Sequence, residues 1–204
     1  LENYSPDKYI MFIAVGYSEM NKVRTKLYTK YKKLGYSFVN FIHPNVEWWD
    51  DSNIGENSFI FENNVVQQNV SIGNEVILKE GVRICPTNIR SRIKIGNKTS
   101  LGYHTMLFAS KNITVGNNCM IAPFTYMVDS NHLIKKNKPM NNQGIKASDI
   151  IIDDDVWVGT GAKILSGVKI SVGSVIAAGS VVNTDIPEYT IAAGSPAKVV
   201  GKRT

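Results

Sequence analysis

Three histidines are the side chains of this chain that can exchange a proton near neutral pH: His43, His104 and His132. Histidine has an unperturbed pKa near ~6.5, so it suits general-base work at physiological pH. His132 closes the polar run Asp129-Ser130-Asn131-His132, whereas His43 stands at the expected end of a strand. His132 is therefore the candidate base. The alternative is a surface histidine in an asparagine-rich turn.

An aliphatic residue that returns at every sixth position between Ile54 and Val182 predicts the framework that holds these side chains. No α-helix and no simple amphipathic strand has this period. It predicts short parallel strands joined by tight corners and coiled into a prism, with the aliphatic residue pointing inward. A small residue often follows, as in Ile54-Gly55, Ile72-Gly73, Ile95-Gly96, Leu101-Gly102, Val115-Gly116, Ile121-Ala122, Val158-Gly159 and Ile176-Ala177.

The period breaks at two places. Between Leu107 and Val115 the step lengthens to eight, which predicts a small insertion at a corner. Between Met127 and Ile152 the gap is long, and residues 128–149 are predicted to form a polar loop that protrudes from the prism. Such a loop in a tight repeat is more often functional than not. We expect His132 at the base of this loop.

The N-terminal residues predict a small α/β cap. Tyr9–Gly16 and Tyr36–Ile42 are expected to form strands on either side of a helix that runs from Glu19 to about Leu34, with Ser18 as N-cap and Gly35 ending it. The expected domains are the cap at 1–45, the β-helix at 46–190 and a C-terminal tail at 191–204. The expected apolar stripe of the helix is Met20, Val23, Leu27, Tyr31 and Leu34.

Basic residues crowd the predicted helix. We expect a solvated helix face, and the alternative is a nearby site for a nucleotide or a sugar phosphate. There is no GxGxxG motif, so the fingerprint of a dinucleotide site is absent from the sequence. The basic side chains are Lys22, Arg24, Lys26, Lys30, Lys32 and Lys33.

Composition narrows the classes of protein. No apolar run approaches the ~20 residues that cross a bilayer, so we expect no membrane insertion. No secretory signal is visible, and Cys85 and Cys119 stand in unrelated repeats, which favours the cytoplasm over a disulfide-bonded secreted protein. The net charge of +6 favours anionic ligands. The basic residues lack the interleaved aromatic platform of nucleic-acid binders, so we expect no nucleic acid as partner.

Two ordered motif series resemble the left-handed β-helix, or hexapeptide-repeat, acyltransferases. Met127-Val-Asp-Ser-Asn-His132, the loop and then Ile151-Ile-Asp-Asp-Asp-Val-Trp-Val-Gly159 resemble the catalytic stretch of the galactoside, maltose and capsule-type acetyltransferases. Ile176-Ala-Ala-Gly-Ser-Val-Val182 and Ala192-Ala-Gly-Ser-Pro-Ala-Lys198 resemble their coenzyme A end. Residues 8–78 are more similar to the amino-sugar and sialic-acid-type acetyltransferases, in which a βαβ domain precedes the helix.

The resemblance implies a mainly β fold: a left-handed parallel β-helix with a small N-terminal βαβ cap and a protruding loop at about 128–149. It implies a homotrimer with active sites between neighbouring prisms. It also implies acetyl-CoA as acyl donor, no required metal, and a sugar or glycan as acceptor.

The resemblance assigns roles to particular residues. His132 is the general base for direct attack of a sugar hydroxyl on the thioester, and the Thr160 amide donates to the developing oxyanion. Corner geometry is the alternative for Gly159, packing for Trp157 and a turn cap for Asp129. The residues expected at the acceptor are His104, Asp129 and Asn131, and those expected at coenzyme A are Trp157, Gly159, Thr160, Ala177, Ala178, Asn183 and Lys198.

Three other functions compete with this interpretation. The resemblance of the N-terminal half suggests N-acylation of a dTDP- or UDP-linked amino sugar, and a neutral amine can attack without a strong base. A non-catalytic scaffold is possible, because fold does not imply function. The γ-type carbonic anhydrases share the prism but need three histidines on a metal, two of them close in sequence. Here the histidines are 61 and 28 residues apart.

Overall fold

The aliphatic period closes the chain into a prism, each coil of which contributes one short strand to each of three sheets. The computed structural model describes residues 4–15, 22–49 and 51–204. Along the chain the helix is α1 (Lys22–Lys33), and the strands up to the second break are β1 (Phe41–Ile42), β2 (Glu47–Trp48), β3 (Asn53–Ile54), β4 (Phe59–Ile60), β5 (Val65–Val66), β6 (Val70–Ile72), β7 (Ile77–Leu78), β8 (Arg83–Pro86), β9 (Arg92–Ile95), β10 (Ser100–Leu101), β11 (Met106–Ala109), β12 (Asn112–Val115), β13 (Met120–Ile121) and β14 (Tyr126–Val128).

The second break contains a hairpin of its own, and the coils then resume. A 3-10 turn at Met140–Asn142 lies inside the hairpin loop. The remaining strands are β15 (Ser130–His132), β16 (Ile145–Ala147), β17 (Ile150–Ile152), β18 (Trp157–Val158), β19 (Lys163–Ile164), β20 (Lys169–Ile170), β21 (Val175–Ile176), β22 (Val181–Val182), β23 (Thr190–Gly194) and β24 (Ala197–Lys202).

Three sheets form the sides of the prism. The first runs β1-β4-β7-β10-β13-β18-β21-β23-β24, the second β2-β5-β8-β11-β14-β19-β22 and the third β20-β17-β12-β9-β6-β3. Neighbouring strands of successive coils pair in parallel, and β15–β16 and β23–β24 are antiparallel. We call the turns from the first sheet to the second the first corner, those from the second to the third the second corner, and those from the third to the first the third corner.

The core is a stack of aliphatic side chains along the axis of the prism. Leu107 of β11 pairs with Ile84 of β8 and Met127 of β14, and all three are fully buried. A lone coil leaves its inward residue in water, whereas stacked coils bury it from above and below. The predicted left-handed parallel β-helix with a short N-terminal helix is confirmed.

At the third corner, asparagine side chains hold one coil to the next. The Oδ1 atoms of Asn74, Asn97 and Asn117 accept backbone N–H groups of the preceding coil at 2.8 Å. Asp154 ends this ladder by accepting the Asn117 N–H at 2.7 Å, and this backbone bond, followed by one from the Asn117 side chain, lowers the pKa of Asp154 below its ordinary value. The ladder fixes the register of the coils where no strand pairs.

The N-terminal segment differs in detail from the prediction. The expected first strand is reduced to a parallel bridge between Met11 and Phe38, and Phe41–Ile42 already pairs with the first sheet of the prism. The predicted helix start at Ser18 and Glu19 lies outside the described residues. Leu27 and Tyr31 pack against the small cluster of Ile13, Tyr36 and Phe38, as expected for the stripe, but Val23 and Leu34 are exposed.

Arg24 does not belong to a solvated helix face. It is 2% exposed, and its guanidinium lies 3.8 Å from the centre of the Phe59 ring. Burial lowers the pKa of Arg24 to about 10, against the opposing effect of Glu75. A cation over an aromatic face thus docks α1 on the first coils.

The aliphatic period also breaks at a third place, which was not predicted. Between Ile84 and Ile95 the chain inserts a turn at the second corner, where Asn88 Oδ1 accepts the N–H groups of Arg90 and Ser91.

In the described part of the chain, no helix is both long and apolar enough to cross a bilayer.

We expect Leu107→Ala to lower the free energy of unfolding by about 2–5 kcal/mol, because the cavity opens between two coils that cannot collapse independently. Lys94→Ala, an exposed outward substitution on β9, is the matched control and should stay within about 0.5 kcal/mol. Urea denaturation of the two variants measures both values. Equal midpoints would contradict the stacked core.

Candidate functional site

Thr160 lies at the first corner between two glycines. Gly161 adopts a left-handed φ of +69° and donates its N–H to the Pro123 carbonyl at 2.9 Å, which turns the chain. Thr160 is exposed, and within residues 4–15, 22–49 and 51–204 no acceptor takes its N–H. The corner therefore offers an uncommitted backbone donor to a ligand oxygen.

The next coil adds small residues at the same corner. Ala177 is half-buried and Ala178 is exposed. A Cβ at Gly159 would lie 2.6 Å from the Ala178 nitrogen, so glycine is required there for the coils to stack. Corner geometry therefore explains Gly159, and a contact between coenzyme A and Gly159, Ala177 or Ala178 stays a prediction.

His104 also lies at the first corner, where it adopts a left-handed φ of 54°. Its ring stacks on that of Phe124 with centres 5.4 Å apart and planes at 24°. Phe124 was not predicted as a site residue. The signal was present in the sequence: a bulky aromatic stands where the equivalent positions of other coils are Gly81, Gly161 and Gly179.

His132 lies on the hairpin that leaves the second corner. In this hairpin β15 pairs with β16, so that His132 faces Ile145 and Asn131 faces Lys146. Both His132 and Asn131 are exposed. The hairpin thus projects the candidate base away from its own prism.

Asp129 anchors the base of this hairpin. Its carboxylate is fully buried and accepts the N–H groups of Ser110 and Lys111, both at 2.7 Å. Its carbonyl accepts the Ser148 N–H at 2.8 Å and the Ser166 hydroxyl at 2.6 Å. Burial raises the pKa of Asp129, and the amide bonds oppose the rise. The structure shows Asp129 as a turn cap, and its contact with an acceptor stays a prediction.

The remaining predicted residues are spread over the prism. Trp157 is 49% exposed on the outer side of the first sheet, between Met120 and Val175. Asn183 is exposed at the second corner, and Lys198 is exposed on β24 opposite Ala193. The structure therefore does not gather every predicted coenzyme A residue at one corner.

The candidate base and the candidate oxyanion donor lie at different corners of one chain. Thr160 and His104 are at the first corner, whereas His132 and Asn131 leave the second. The whole second sheet lies between these corners. No single corner of the described chain therefore carries both groups.

Comparison with known proteins shows relatives of one kind, although no family model matches the chain. The polysialic acid O-acetyltransferase of Escherichia coli O1:K1 is 37% identical over 140 residues, which are 66% of this chain and 41% of that enzyme. The crystal structure of a maltose O-acetyltransferase from Clostridium difficile 630 is 32% identical, covers 62% of this chain and 68% of that chain, and has a TM-score of 0.52.

The chain belongs to the hexapeptide-repeat acetyltransferases.

The fold likeness within this family extends over most of the chain. AntD, an N-acyltransferase from Bacillus cereus solved with dTDP and 3-hydroxybutyryl-CoA, is 20% identical, covers 87% of this chain and 88% of its own, and has a TM-score of 0.59. At that identity the likeness shows the fold alone. The chain spans about half the length of the curated relatives it matches, from 37% to 58% of the first four.

A carbonic-anhydrase-like function would need a set of metal ligands, and the described part of the chain contains none. No group of three or more histidine, cysteine or acidic side chains is close enough there to hold a metal ion. The γ-type carbonic anhydrases require such a histidine set.

We expect Asp129→Ala to lower the free energy of unfolding by about 1–3 kcal/mol, because it removes a fully buried carboxylate that accepts the amides of Ser110 and Lys111. Asp149→Asn is the matched control. Asp149 is half-buried, pairs with Lys111 Nζ at 3.2 Å and accepts a bond from Asn112 Nδ2 at 3.0 Å. Asparagine keeps an acceptor oxygen, so the loss of the charge should cost less than about 1 kcal/mol. Thermal melts compare the two variants, and equal melting temperatures would refute the anchoring role.

Proposed function

We propose that the chain is an acetyl-CoA-dependent acyltransferase that acetylates a sugar hydroxyl. The observation that carries the proposal is the uncommitted Thr160 amide at an open glycine corner. The kinship with O-acetyltransferases that act on maltose and on polysialic acid supports the substrate class.

The open corner suits the arm of coenzyme A. A Cβ built on Gly161 or on Gly179 would meet nothing within 4 Å, so two successive coils leave the same strip of surface vacant. Parallel coils are about 4.8 Å apart, which makes the strip about 10 Å long. A pantetheine arm lying along this strip from the C-terminal coils brings its thioester beside Thr160.

The Thr160 N–H then stabilises the reaction. When the sugar oxygen attacks the thioester carbon, negative charge moves to the carbonyl oxygen, and an aimed backbone N–H stabilises that charge. Because the donor belongs to the backbone of a stacked coil, it is already oriented before the substrate binds.

His132 supplies the proton chemistry. Its imidazole takes the proton of the sugar hydroxyl as the C–O bond forms. The tetrahedral intermediate then collapses, the C–S bond breaks, and the imidazolium returns the proton to the leaving sulfur. The products are the sugar ester and free coenzyme A.

The two groups meet between subunits of a homotrimer. When the second sheets of three prisms face a common threefold axis, the second corner of each prism adjoins the first corner of the next. The hairpin with His132 then reaches the Thr160 corner of its neighbour. Closed threefold assembly is compatible with one such heterologous contact repeated three times.

A nucleotide-linked amino sugar is the second candidate acceptor. A groove of about 600 Å³ runs between α1 and the outer side of the first sheet, and its lining includes Met120. Its charged lining residues are the basic Lys22, Lys26, Lys98 and Arg203 and the acidic Glu75 and Asp155, so that basic groups outnumber acidic ones. Its positive charge favours a phosphate-bearing acceptor. Met120 pairs with Trp157, so the groove adjoins the coil of Thr160.

A thiol-release assay tests the function. Acetyl-CoA is offered with free and polymeric sugars and, separately, with dTDP- and UDP-linked amino sugars. We expect release with one panel, and release with neither would overturn the proposal.

His132→Ala should lower the rate of hydroxyl acetylation by about 10²–10⁴. His43→Ala, which removes only an acceptor of the Asn45 N–H, should not.

The backbone donor is tested separately. Pro123 occupies the position before the left-handed residue in the preceding coil, as Thr160 does in its own, so this corner accommodates proline. Thr160→Pro removes the N–H and should lower kcat by about 10²–10³. Thr160→Ala keeps the N–H and is the matched control. Equal losses in the two variants would contradict the oxyanion role.

A further inference from the structure

The ring of Phe124 is unusual for its place in the fold. It is 60% exposed, and the residue adopts a left-handed φ of +59°, a backbone conformation that is unfavourable for a bulky L-residue. An exposed ring contributes little to the core of its own chain. Neither core packing nor backbone preference therefore explains a phenylalanine here.

Its surroundings differ on the two sides of the ring. Toward the N-terminal coils it stacks on His104, whose own ring covers Gly81: a Cβ at Gly81 would lie 2.3 Å from His104 Nδ1. Toward the C-terminal coils the equivalent residues are Gly161 and Gly179, which have no side chain and face open space. At the first corner, side chains therefore cover the surface of the coils as far as Phe124, and no side chain covers the surface at Gly161 and Gly179.

We propose that Phe124, held by its stack on His104, closes the N-terminal end of the thioester strip and restricts the acyl group to two carbons. This inference rests on the proposed function, because it assumes a thioester beside Thr160. It assigns Phe124 as a residue that determines donor specificity, and His104 as the residue that positions it.

The spacing of the coils sets the limit. The corner of Phe124 and that of Thr160 belong to successive coils, about 4.8 Å apart. A methyl group bonded to the thioester carbonyl carbon adds about 1.5 Å, and its contact with a ring carbon needs about 3.5–4.0 Å. Together these lengths take up slightly more than one coil spacing, so no room is left beyond the methyl group. Each further carbon of a longer acyl chain adds about 1.5 Å of bond length that the ring obstructs.

The test compares acetyl-CoA with butyryl-CoA in the full chain. Glycine adopts left-handed φ without strain, so Phe124→Gly removes the ring and keeps the corner. We expect the ratio of kcat/KM for butyryl-CoA over acetyl-CoA to rise by about 10- to 20-fold, as two accommodated methylene groups would give. The ratio of the dissociation constants of the two thioesters, measured by calorimetry, should move in the same direction.

Tyr189→Gly is the matched control. Tyr189 is also an exposed aromatic residue with left-handed φ, at 51°, and its ring covers Gly173 at the third corner, away from Thr160. Its removal should leave the acyl ratio within about twofold of the parent chain. Phe124→Asn is the second variant, because asparagine tolerates left-handed φ, and it should repeat the effect of glycine if the latter fails to fold.

The outcomes separate the two proposals. Binding of acetyl-CoA with an unchanged acyl ratio in Phe124→Gly and Phe124→Asn overturns the role of Phe124 and leaves the proposed function standing. An equal rise in Tyr189→Gly also overturns it, since the effect would then not be local. A parent chain that binds neither thioester overturns both.

Discussion

The corner of the coil is the constraint on which the rest of this structure depends. From β4 onward, each coil turns from the first sheet to the second at a residue with left-handed φ, and this residue recurs at the same place in successive coils. These first-corner residues are Asn63, Gly81, His104, Phe124, Gly161 and Gly179. Glycine adopts this conformation freely, whereas histidine and phenylalanine do so at a cost. The positions of His104 and Phe124 at this corner therefore need an explanation other than backbone preference.

The same constraint forms the candidate site. Glycine at two successive corners leaves a vacant strip beside a backbone amide that no described residue of the chain uses. The hairpin that carries His132, the proposed base, leaves a different corner. In the proposed mechanism the chemistry thus divides between a rigid corner and a projecting hairpin, and a site is complete only where neighbouring prisms combine the two.

Much of this could be predicted from the sequence, because the inward aliphatic residues repeat with a period that only stacked coils explain. The protruding loop was visible as the gap between Met127 and Ile152, although the hairpin within it was not. The family was visible in the motifs around His132 and Trp157, and the family is confirmed. The burial of Arg24 was not visible, since a cation on a helix is ordinarily solvated and its aromatic partner, Phe59, is distant in sequence. A turn cap was the alternative given for Asp129, but its amide partners, Ser110 and Lys111, were not visible because they lie a coil away.

Complementation between subunits tests the central claim most directly. His132→Ala and Thr160→Pro are each expected to be inactive, and they remove the two halves of one site. Purified subunits of both variants are unfolded, mixed in equal amounts and refolded together. If each site takes His132 from one subunit and Thr160 from the next, random mixing restores about a quarter of the parent activity. Activity no higher than that of the separately refolded variants would show that the two residues do not act across a subunit boundary.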